Sequence, residues 1–164
     1  MVRIKHRYLT VELVPDSGTN EGFAKDFSTQ DIFNSLREKI QELFGDVGYG
    51  LIAKNISLKI YFPDCGIFIV RVARDSEVEL RFALCCLNKI KRYSLICRTV
   101  AISGSSRTCK DSLLRLFIII SEVELSKDIS SIRRGVAIDD LESNANFLRD
   151  KISERKAIIE SLEL

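Results

Sequence analysis

The stretch DCGIFIVRVA, residues 64–73, carries apolar side chains on both faces of the strand that it predicts. Side chains alternate between the two faces of a strand, so Phe68 and Val70 point one way while Ile67 and Ile69 point the other. A strand that is apolar on both faces is usually buried on both faces. We therefore expect a sheet that is covered on each side by helices.

The segments on either side of this stretch give the order of elements. A hydrophobic period of two predicts a strand, and a period of 3.6 predicts a helix. These periods predict a strand at 7–14, a helix at 28–48, strands at 55–62 and 64–73, a helix at 76–90, a strand at 94–102 and a helix at 108–125. The order is that of the split βαβ motif. The predicted fold class is α+β: a ferredoxin-like, RRM-like βαββαβ antiparallel sheet sandwiched by helices, plus a C-terminal helical extension.

Helix ends and packing follow from particular residues. Gly45 and Gly48 are expected to end the first helix, and Ser76 with Glu79 predicts a capping box at the start of the second. We expect the first two helices on one face of the sheet. The third helix is expected to cover the other face through Leu113, Leu116 and Ile120.

Two covered faces leave no open sheet for base stacking. An RNA-recognition motif of this topology stacks bases on exposed aromatic side chains of its third strand, whereas Ile67 and Ile69 stand in those places here. RNA binding, if present, would act through strand edges, loops and helix ends.

The tail carries a heptad pattern. Apolar side chains recur at the first and fourth heptad positions: Ile138, Leu141, Ala145, Leu148, Ile152, Ile159 and Leu162. Arg155 interrupts this seam. We divide the chain into an RRM-like α/β sandwich domain at 1–125 and a C-terminal helical extension at 126–164. Packing of the extension onto the domain and docking on a partner subunit are equally open.

Cysteine and histidine usage argues against a metal site. The five cysteines form no C-x-x-C pair and His6 is the single histidine, so free thiols in a reducing compartment are expected. The strongest apolar cluster, at 113–120, is too short for a membrane span and contains Arg115. We expect neither a bound metal nor a membrane partner.

Positive charge concentrates in two segments, although the net charge is only +2. Residues 1–11 contain three Lys or Arg, one His and no acid, and residues 89–115 contain seven Lys or Arg against Asp111. Such clustering is typical of phosphate binding. A solvated face gives the same pattern.

The segment VAISGSSRTCKDSLLRL, residues 100–116, first suggests a phosphatase-like loop, because Arg115 follows Cys109 at the required spacing. The intervening KDSLL contains good helix formers and no glycine. A helix cannot fold Cys109 and Arg115 into the amide cradle that this chemistry needs. The segment also lacks the P-loop pattern.

The same segment predicts a strand, a tight turn and a helix N-terminus. Thr108 and Asp111 have capping-box spacing, which places Thr108 at the N-cap. Free amides at a helix N-terminus bind phosphate, and Arg107 and Lys110 add full positive charges. A phosphate grip and an ordinary capped helix are equally open on this pattern.

Two stretches, MVRIKHRYLTVELV at 1–14 and SGSSRTCKDSLL at 103–114, closely resemble the small α/β protein subunit shared by eukaryotic ribonuclease P and ribonuclease MRP, which has archaeal counterparts. The resemblance covers about residues 1–120. It implies a non-catalytic subunit of a particle whose RNA, with Mg²⁺, cleaves the 5′ leader of precursor tRNA; the MRP form cuts precursor ribosomal RNA.

The resemblance also implies partners and location. The partners would be the ribonuclease P/MRP RNA, the TIM-barrel protein subunit of the same particle and its other proteins, and the location would be nucleus and nucleolus. Matched positions imply RNA contacts at Arg3, Lys5, His6, Arg7, Gly104, Arg107 and Thr108. The charge pattern adds Lys91, Arg92, Arg98 and Lys110. Most of these should contact phosphate and sugar.

Tyr8 is expected to pack in the strand rather than to stack on a base. Two other functions stay open. One is a protein-interaction module that contacts no nucleic acid, and the other is a small enzyme that acts through Cys109.

Overall fold

The computed structural model of the chain describes residues 5–16, 23–132 and 139–161. The elements, in chain order, are β1 (His6–Pro15), α1 (Thr29–Ala53), β2 (Ser57–Phe62), β3 (Ile67–Ala73), α2 (Glu77–Cys86), β4 (Lys89–Ile90), β5 (Tyr93–Ser103), α3 (Ser106–Ile132) and α4 (Asp139–Ser161). Short 3₁₀ turns cover Phe23–Asp26 and Arg74–Ser76. The α+β class and the predicted order of elements are confirmed.

The five strands form one antiparallel sheet in the order β2-β3-β1-β5-β4. The four long strands therefore have the split βαβ order. The two-residue strand β4 was not predicted, because the second helix was expected to continue to residue 90. That helix ends at Cys86, since Leu87 takes an extended backbone conformation and turns the chain into β4.

The main core lies between the sheet and the first two helices, as predicted. It joins buried side chains of β1 and β3 to those of α1 and α2: Leu9, Val11, Phe68, Val70, Val72, Ile32, Leu36, Ile40, Leu80 and Leu84. On the opposite face of β3, Ile67 and Ile69 have no exposed surface, so the prediction of two covered faces is confirmed for this strand. On β5 the same face is open at Ile96, which is 56% exposed. Packing through Leu113, Leu116 and Ile120 stays a prediction.

Helix α1 continues past its predicted end. Gly45 has a φ of +64° and interrupts the helical backbone, but helix resumes and runs to Ala53. Glycine tolerates that conformation at little steric cost. Ile52 in the continued part is buried in the main core, which supports the second segment. Gly45 therefore kinks the helix instead of ending it, and Gly48 lies inside the continued helix.

The two predicted helix starts differ in their caps. At α1, Ser28 and Asp31 form a reciprocal capping box, with Ser28 N donating to Asp31 Oδ2 at 2.8 Å and Asp31 N donating to Ser28 Oγ at 3.2 Å. At α2, Ser76 is the N-cap residue, but its side chain makes no capping hydrogen bond. The 3₁₀ turn Arg74–Ser76 runs directly into the helix and gives Ser76 a non-extended backbone. The capping box expected at α2 is therefore wrong.

The chain divides into two compact units, Met1–Cys109 and Lys110–Leu164. Helix α3 continues to Ile132, so the predicted domain boundary between residues 125 and 126 falls inside a continuous helix. An apolar run such as LLRLFIII gives no stop signal, which is why the helix length was underestimated.

In the second unit, the end of α4 packs against α3. The Arg155 guanidinium lies over the Phe117 ring, 4.9 Å from its centroid, and Lys110 Nζ donates to the Glu160 carbonyl at 3.1 Å. Ile159 is fully buried. Arg155, which interrupts the heptad seam in the sequence, thus has an aromatic partner in the fold. Ile138 and Leu162 lie outside the described residues.

Candidate nucleic-acid interface

Strand pairing brings the start of β1 next to the end of β5, although the two segments are far apart in the sequence. Strand β1 pairs with β5 so that Tyr8 lies opposite Ser103. The basic residues at the start of β1 therefore lie beside the turn that leads into α3. Spacing alone could not show this, because about 95 residues separate the two stretches.

Arg7 and Gly104 touch across this junction. A Cβ atom on Gly104 would lie 3.2 Å from Arg7 Nη1 and 3.9 Å from Arg7 Cζ. The Arg7 guanidinium also reaches the His6 carbonyl, with Nη1 donating at 3.4 Å. Glycine at position 104 therefore leaves the space that the guanidinium occupies.

The turn ends in a capping box, one helical turn earlier than predicted. Thr108 N donates to Ser105 Oγ at 3.2 Å, and Ser105 N donates to Thr108 Oγ1 at 3.3 Å. Helix α3 begins at Ser106, so Ser105 is the N-cap and Thr108 is the third helical residue. The prediction of Thr108 as N-cap with Asp111 as its partner is wrong. Ser105 and Thr108 have the same spacing, which is the signal that could have found this cap.

We use the name sheet-end cluster for Lys5, His6, Arg7, Gly104, Arg107 and Thr108. Lys5 and Arg107 are exposed, and Arg7 is half-buried. None of these three cations forms an ion pair with a carboxylate among the described residues. The cluster therefore combines positive charges that have no described acidic partner with the N-terminus of a long helix, an arrangement suited to anions.

The other residues singled out at the start of the chain are His6, Arg3 and Tyr8. The buried Nδ1 of His6 has no hydrogen-bond partner among the described residues. Arg3 lies outside the described residues. Tyr8 is 8% exposed, so the expectation that it packs in the strand is confirmed.

Cys109 lies next to the cluster but is closed to solvent. Its Sγ lies 3.9 Å from Thr10 Oγ1, and both residues are buried. Burial raises the pKa of the Cys109 thiol. A protonated, buried thiol is a poor nucleophile, and Cys109 and Arg115 lie on one continuous helix. The geometry argues against the Cys109 enzyme hypothesis.

Lys91 and Arg92 lie at the opposite end of β5 and are engaged. Lys91 Nζ lies 2.6 Å from Asp31 Oδ2, and Arg92 Nη2 lies 3.2 Å from Asp26 Oδ2. The Tyr93 hydroxyl donates to the same Asp26 carboxylate. These contacts join the β4–β5 hairpin to the start of α1 and the turn before it.

The carboxylates of this network are held ionised. Hydrogen bonds from Lys91 and then Ser28 lower the pKa of Asp31 from 3.8 to about 2. The Tyr93 hydroxyl, followed by Arg92, lowers the pKa of Asp26. Lys91 and Arg92 are therefore already neutralised by partners inside the first unit.

Arg98 and Lys110 are also engaged, and neither belongs to the sheet-end cluster. Arg98 lies in the middle of β5, where its Nε donates to Glu12 Oε2 at 2.9 Å. Lys110 donates to the Glu160 carbonyl within the second unit. The fold thus places the sheet-end cluster, which is part of the predicted set of RNA contacts, at one end of the sheet. The four cations that the charge pattern added, Lys91, Arg92, Arg98 and Lys110, all have polar partners elsewhere.

The described residues contain no group of three or more His, Cys, Asp or Glu side chains placed to hold a metal ion. Among the helices of the described ranges, none is long and apolar enough to cross a membrane.

The chain matches known proteins over the region that contains this cluster. The model of the Rpp14/Pop5 family matches residues 7–114. A Dictyostelium discoideum protein named "Probable ribonuclease P/MRP protein subunit POP5" is 29% identical over 118 residues, which cover 71% of this chain and 67% of that protein.

Two other relatives come from a yeast and an archaeon. The Schizosaccharomyces pombe "Ribonuclease P/MRP protein subunit POP5" is 30% identical over 64% of this chain and 80% of its own length. The Pyrococcus horikoshii "Ribonuclease P protein component 2" is 27% identical over 69% of this chain and 86% of its own length. A family match over 7–114, which covers most of the first unit and the start of α3, establishes that the chain belongs to the Rpp14/Pop5 family.

Proposed function

We propose that the chain is a non-catalytic, RNA-binding subunit of ribonuclease P and ribonuclease MRP that grips RNA phosphates with the sheet-end cluster. The observation that carries this proposal is the pairing of β1 with β5, which sets Arg7 against Gly104 beside the N-terminus of α3. Phosphate contacts of this kind position an RNA without reading its sequence.

The burial of both faces of β3 supports this mode of binding. Ile67 and Ile69 have no exposed surface and Tyr8 is packed, so the stacking platform of an RNA-recognition motif is absent from the third strand. An RNA is left with helix ends, loops and strand edges. The sheet-end cluster is a helix end with cations that have no described acidic partner.

In this proposal the RNA of the particle supplies catalysis and binds the Mg²⁺ ions, and the chain supports that RNA in precursor-tRNA 5′ processing and precursor-rRNA cleavage. The family membership supports this assignment. The proposed partners are the ribonuclease P/MRP RNA, the TIM-barrel subunit and the other proteins of the particle, and the proposed location is nucleus and nucleolus.

Exposed apolar side chains on α1 and α2 support protein partners in general. Val47 and Leu51 on α1 are 79% and 67% exposed, and Val78 and Phe82 on α2 are 62% and 54% exposed. The two side chains of each helix are four residues apart and therefore share one helix face. Exposed apolar surface that is shared in this way is typical of protein contact surfaces. They favour a subunit that contacts both RNA and protein over a chain that acts alone.

The salt dependence of RNA affinity tests the phosphate grip. Each phosphate contact adds about 0.9 to the slope of log affinity against log salt concentration, so Lys5→Ala with Arg107→Ala should reduce its magnitude by about two. Affinity at about 0.15 M salt should fall roughly thirtyfold. The probe is a transcript of the ribonuclease P RNA from the same organism.

Lys91→Ala with Arg92→Ala is the matched control, because it removes the same charge from residues that already have acidic partners. Its slope should stay within experimental error of the wild-type value. Equal slopes for all three proteins would refute the assignment of the sheet-end cluster to RNA.

A further inference from the structure

Arg74 lies at the same end of the sheet as the sheet-end cluster, but on the other side of β1. Strand β3 ends at Ala73, which pairs with His6 on β1, and Arg74 N donates to the Lys5 carbonyl at 2.8 Å. Strands β3 and β5 flank β1, so their ends are about 10 Å apart. Arg74 and Arg107 therefore stand on opposite sides of Lys5.

The Arg74 side chain carries an exposed charge without an acidic partner. It forms no ion pair with a carboxylate among the described residues, and the same holds for Lys5 and Arg107. The neighbouring Asp75 lines a cavity of about 500 Å³ beside α1. We use the name cation row for Arg74, Lys5 and Arg107. This row crosses the ends of three adjacent strands.

This end of the sheet has no exposed aromatic ring in the described ranges. The segments that form it, 5–10, 71–76 and 103–108, contain the Tyr8 ring and the His6 imidazole. Tyr8 is packed in the sheet, and His6 is half-buried with its Nδ1 atom enclosed. The cation row therefore provides contacts to phosphate without a platform for bases.

Single-stranded and double-helical RNA differ in what they present to such a row. A single strand exposes its bases, and proteins that bind one combine cations with aromatic side chains on which successive bases stack. A double helix pairs its bases inside and displays phosphates and 2′-hydroxyl groups on its surface. A rigid backbone also loses less conformational entropy on binding than a flexible strand does. Cations without exposed aromatic rings therefore fit the double helix.

We propose that the sheet-end cluster and Arg74 together bind the backbone of a double-helical segment of RNA. This inference rests on the proposed function and names the form of RNA that the site accepts. Arg74 contacts phosphate from the β3 side and Arg107 contacts it from the β5 side, with Lys5 between them. Contacts of this kind recognise the shape of the helix without reading its sequence.

Competition against the ribonuclease P RNA transcript tests the form of RNA. The competitors are an RNA duplex of about 16 base pairs, the length that a double-strand-binding domain spans, and one of its strands with a sequence that forms no hairpin. At equal concentrations of phosphate groups, the duplex should displace the transcript at roughly tenfold lower concentration, because the single strand gains no stacking. Equal displacement by both competitors, or better displacement by the single strand, would overturn this inference and leave the salt-dependence test of the proposed function standing.

Substitution of Arg74 tests the extension of the site onto β3. Arg74→Gln keeps the backbone N–H that binds Lys5 and removes one charge, so the magnitude of the salt slope for the transcript should fall by about one. Affinity at about 0.15 M salt should fall roughly fivefold. Arg74→Lys keeps the charge and should keep the slope.

Lys89→Gln is the matched control for Arg74→Gln. Lys89 is exposed, forms no ion pair among the described residues and lies on β4, at the opposite end of β5. Its slope should stay within experimental error of the wild-type value. Equal slopes for the two Gln variants would overturn the assignment of Arg74 to the site.

The composition of the purified ribonucleoprotein distinguishes RNA from an acidic protein partner at Arg74. The Arg74→Gln particle should retain every protein subunit of the wild-type particle. Loss of a protein subunit, together with unchanged affinity of the free chain for the transcript, would assign Arg74 to a protein contact and overturn the proposal.

Discussion

The two ends of strand β5 carry similar basic residues but use them differently. At the start of the strand, Lys91 and Arg92 are bound to Asp31 and Asp26. At its end, about 33 Å away for a strand of this length, Arg7 and Arg107 have no ion-pair partner among the described residues.

Under the proposed function, this difference makes cation density along the sequence a poor guide to phosphate binding. A cation whose charge is neutralised by a near carboxylate gains little from a phosphate, since the existing pair must first be broken. A cation beside a helix N-terminus has no such cost, and the helix dipole adds to its attraction. In the proposed function, the carboxylates that the fold brings near each cation decide whether that cation is available to a phosphate.

Two matched charge reversals, one at each end of β5, should give the largest difference in RNA affinity. Arg107→Glu should lower affinity for the ribonuclease P RNA roughly thirtyfold at about 0.15 M salt, since one attraction is lost and one repulsion is added. Arg92→Glu places a second carboxylate beside Asp26, so it should reduce the free energy of unfolding and leave RNA affinity of the folded protein unchanged. RNA titration measures the affinity, and urea unfolding measures the free energy of unfolding.

The comparison would fail if both reversals lowered RNA affinity equally. In that case the ion pairs of Lys91 and Arg92 would not prevent those residues from contacting RNA.

Removal of the cap at α3 should have the next largest effect. Ser105→Ala loses the side-chain hydrogen bond from Thr108 N and should reduce the free energy of unfolding by about 1 kcal/mol. Ser106→Ala, one residue into the helix, is the control and should cost less than half as much. If Ser106→Ala proved the more costly of the two, Ser105 would not be the N-cap.

Gly104→Ala tests whether the position of Arg7 matters for RNA affinity, and its effect should be smaller than that of the cap removal. The added Cβ meets the end of a flexible guanidinium at 3.2 Å, so Arg7 can shift and the free energy of unfolding should barely change. RNA affinity should fall about threefold, because the guanidinium leaves its place beside the turn. Gly50→Ala is the control, since a Cβ there meets no atom within 4 Å. Equal RNA affinities for the two variants would separate Arg7 placement from RNA binding.

Acid titration should show a small loss of stability from the Lys91–Asp31 ion pair at the start of β5. The pKa of Asp31 is lowered from 3.8 to about 2, so its contribution to stability is present at neutral pH and is lost as pH falls through that range. Asp31→Asn should therefore lower the urea midpoint at pH 7 more than at pH 2. The same difference at both pH values would show that the Lys91 pair does not stabilise the fold.

Much of the fold could be predicted because its signals are local. The alternation in IFIVRVA and the helical periods of α1 and α2 predict buried strands and helices directly, and they give the split βαβ order. Helix limits were less accurate. Gly45 kinks α1 because Ile52 has a core to join, and no local pattern reports that contact.

The candidate site could be predicted only in part. Lys5, Arg7, Gly104 and Arg107 were selected by charge and by resemblance to a family, and the fold places them together. The cap was misplaced by three residues, because Ser105 with Thr108 and Thr108 with Asp111 have the same spacing. The roles of Lys91, Arg92, Arg98 and Lys110 could not be predicted, since each has a partner distant in sequence.

The sequence by itself determined the order of the elements, the burial of both faces of β3 and the two basic stretches, because these depend on periodicity and composition. The tertiary structure decided which cations remain without acidic partners. It set Arg7 beside Gly104 and bound Lys91 and Arg92 to carboxylates. Such pairings join residues that are 60 to 97 positions apart, and electrostatic contacts act through space rather than along the chain.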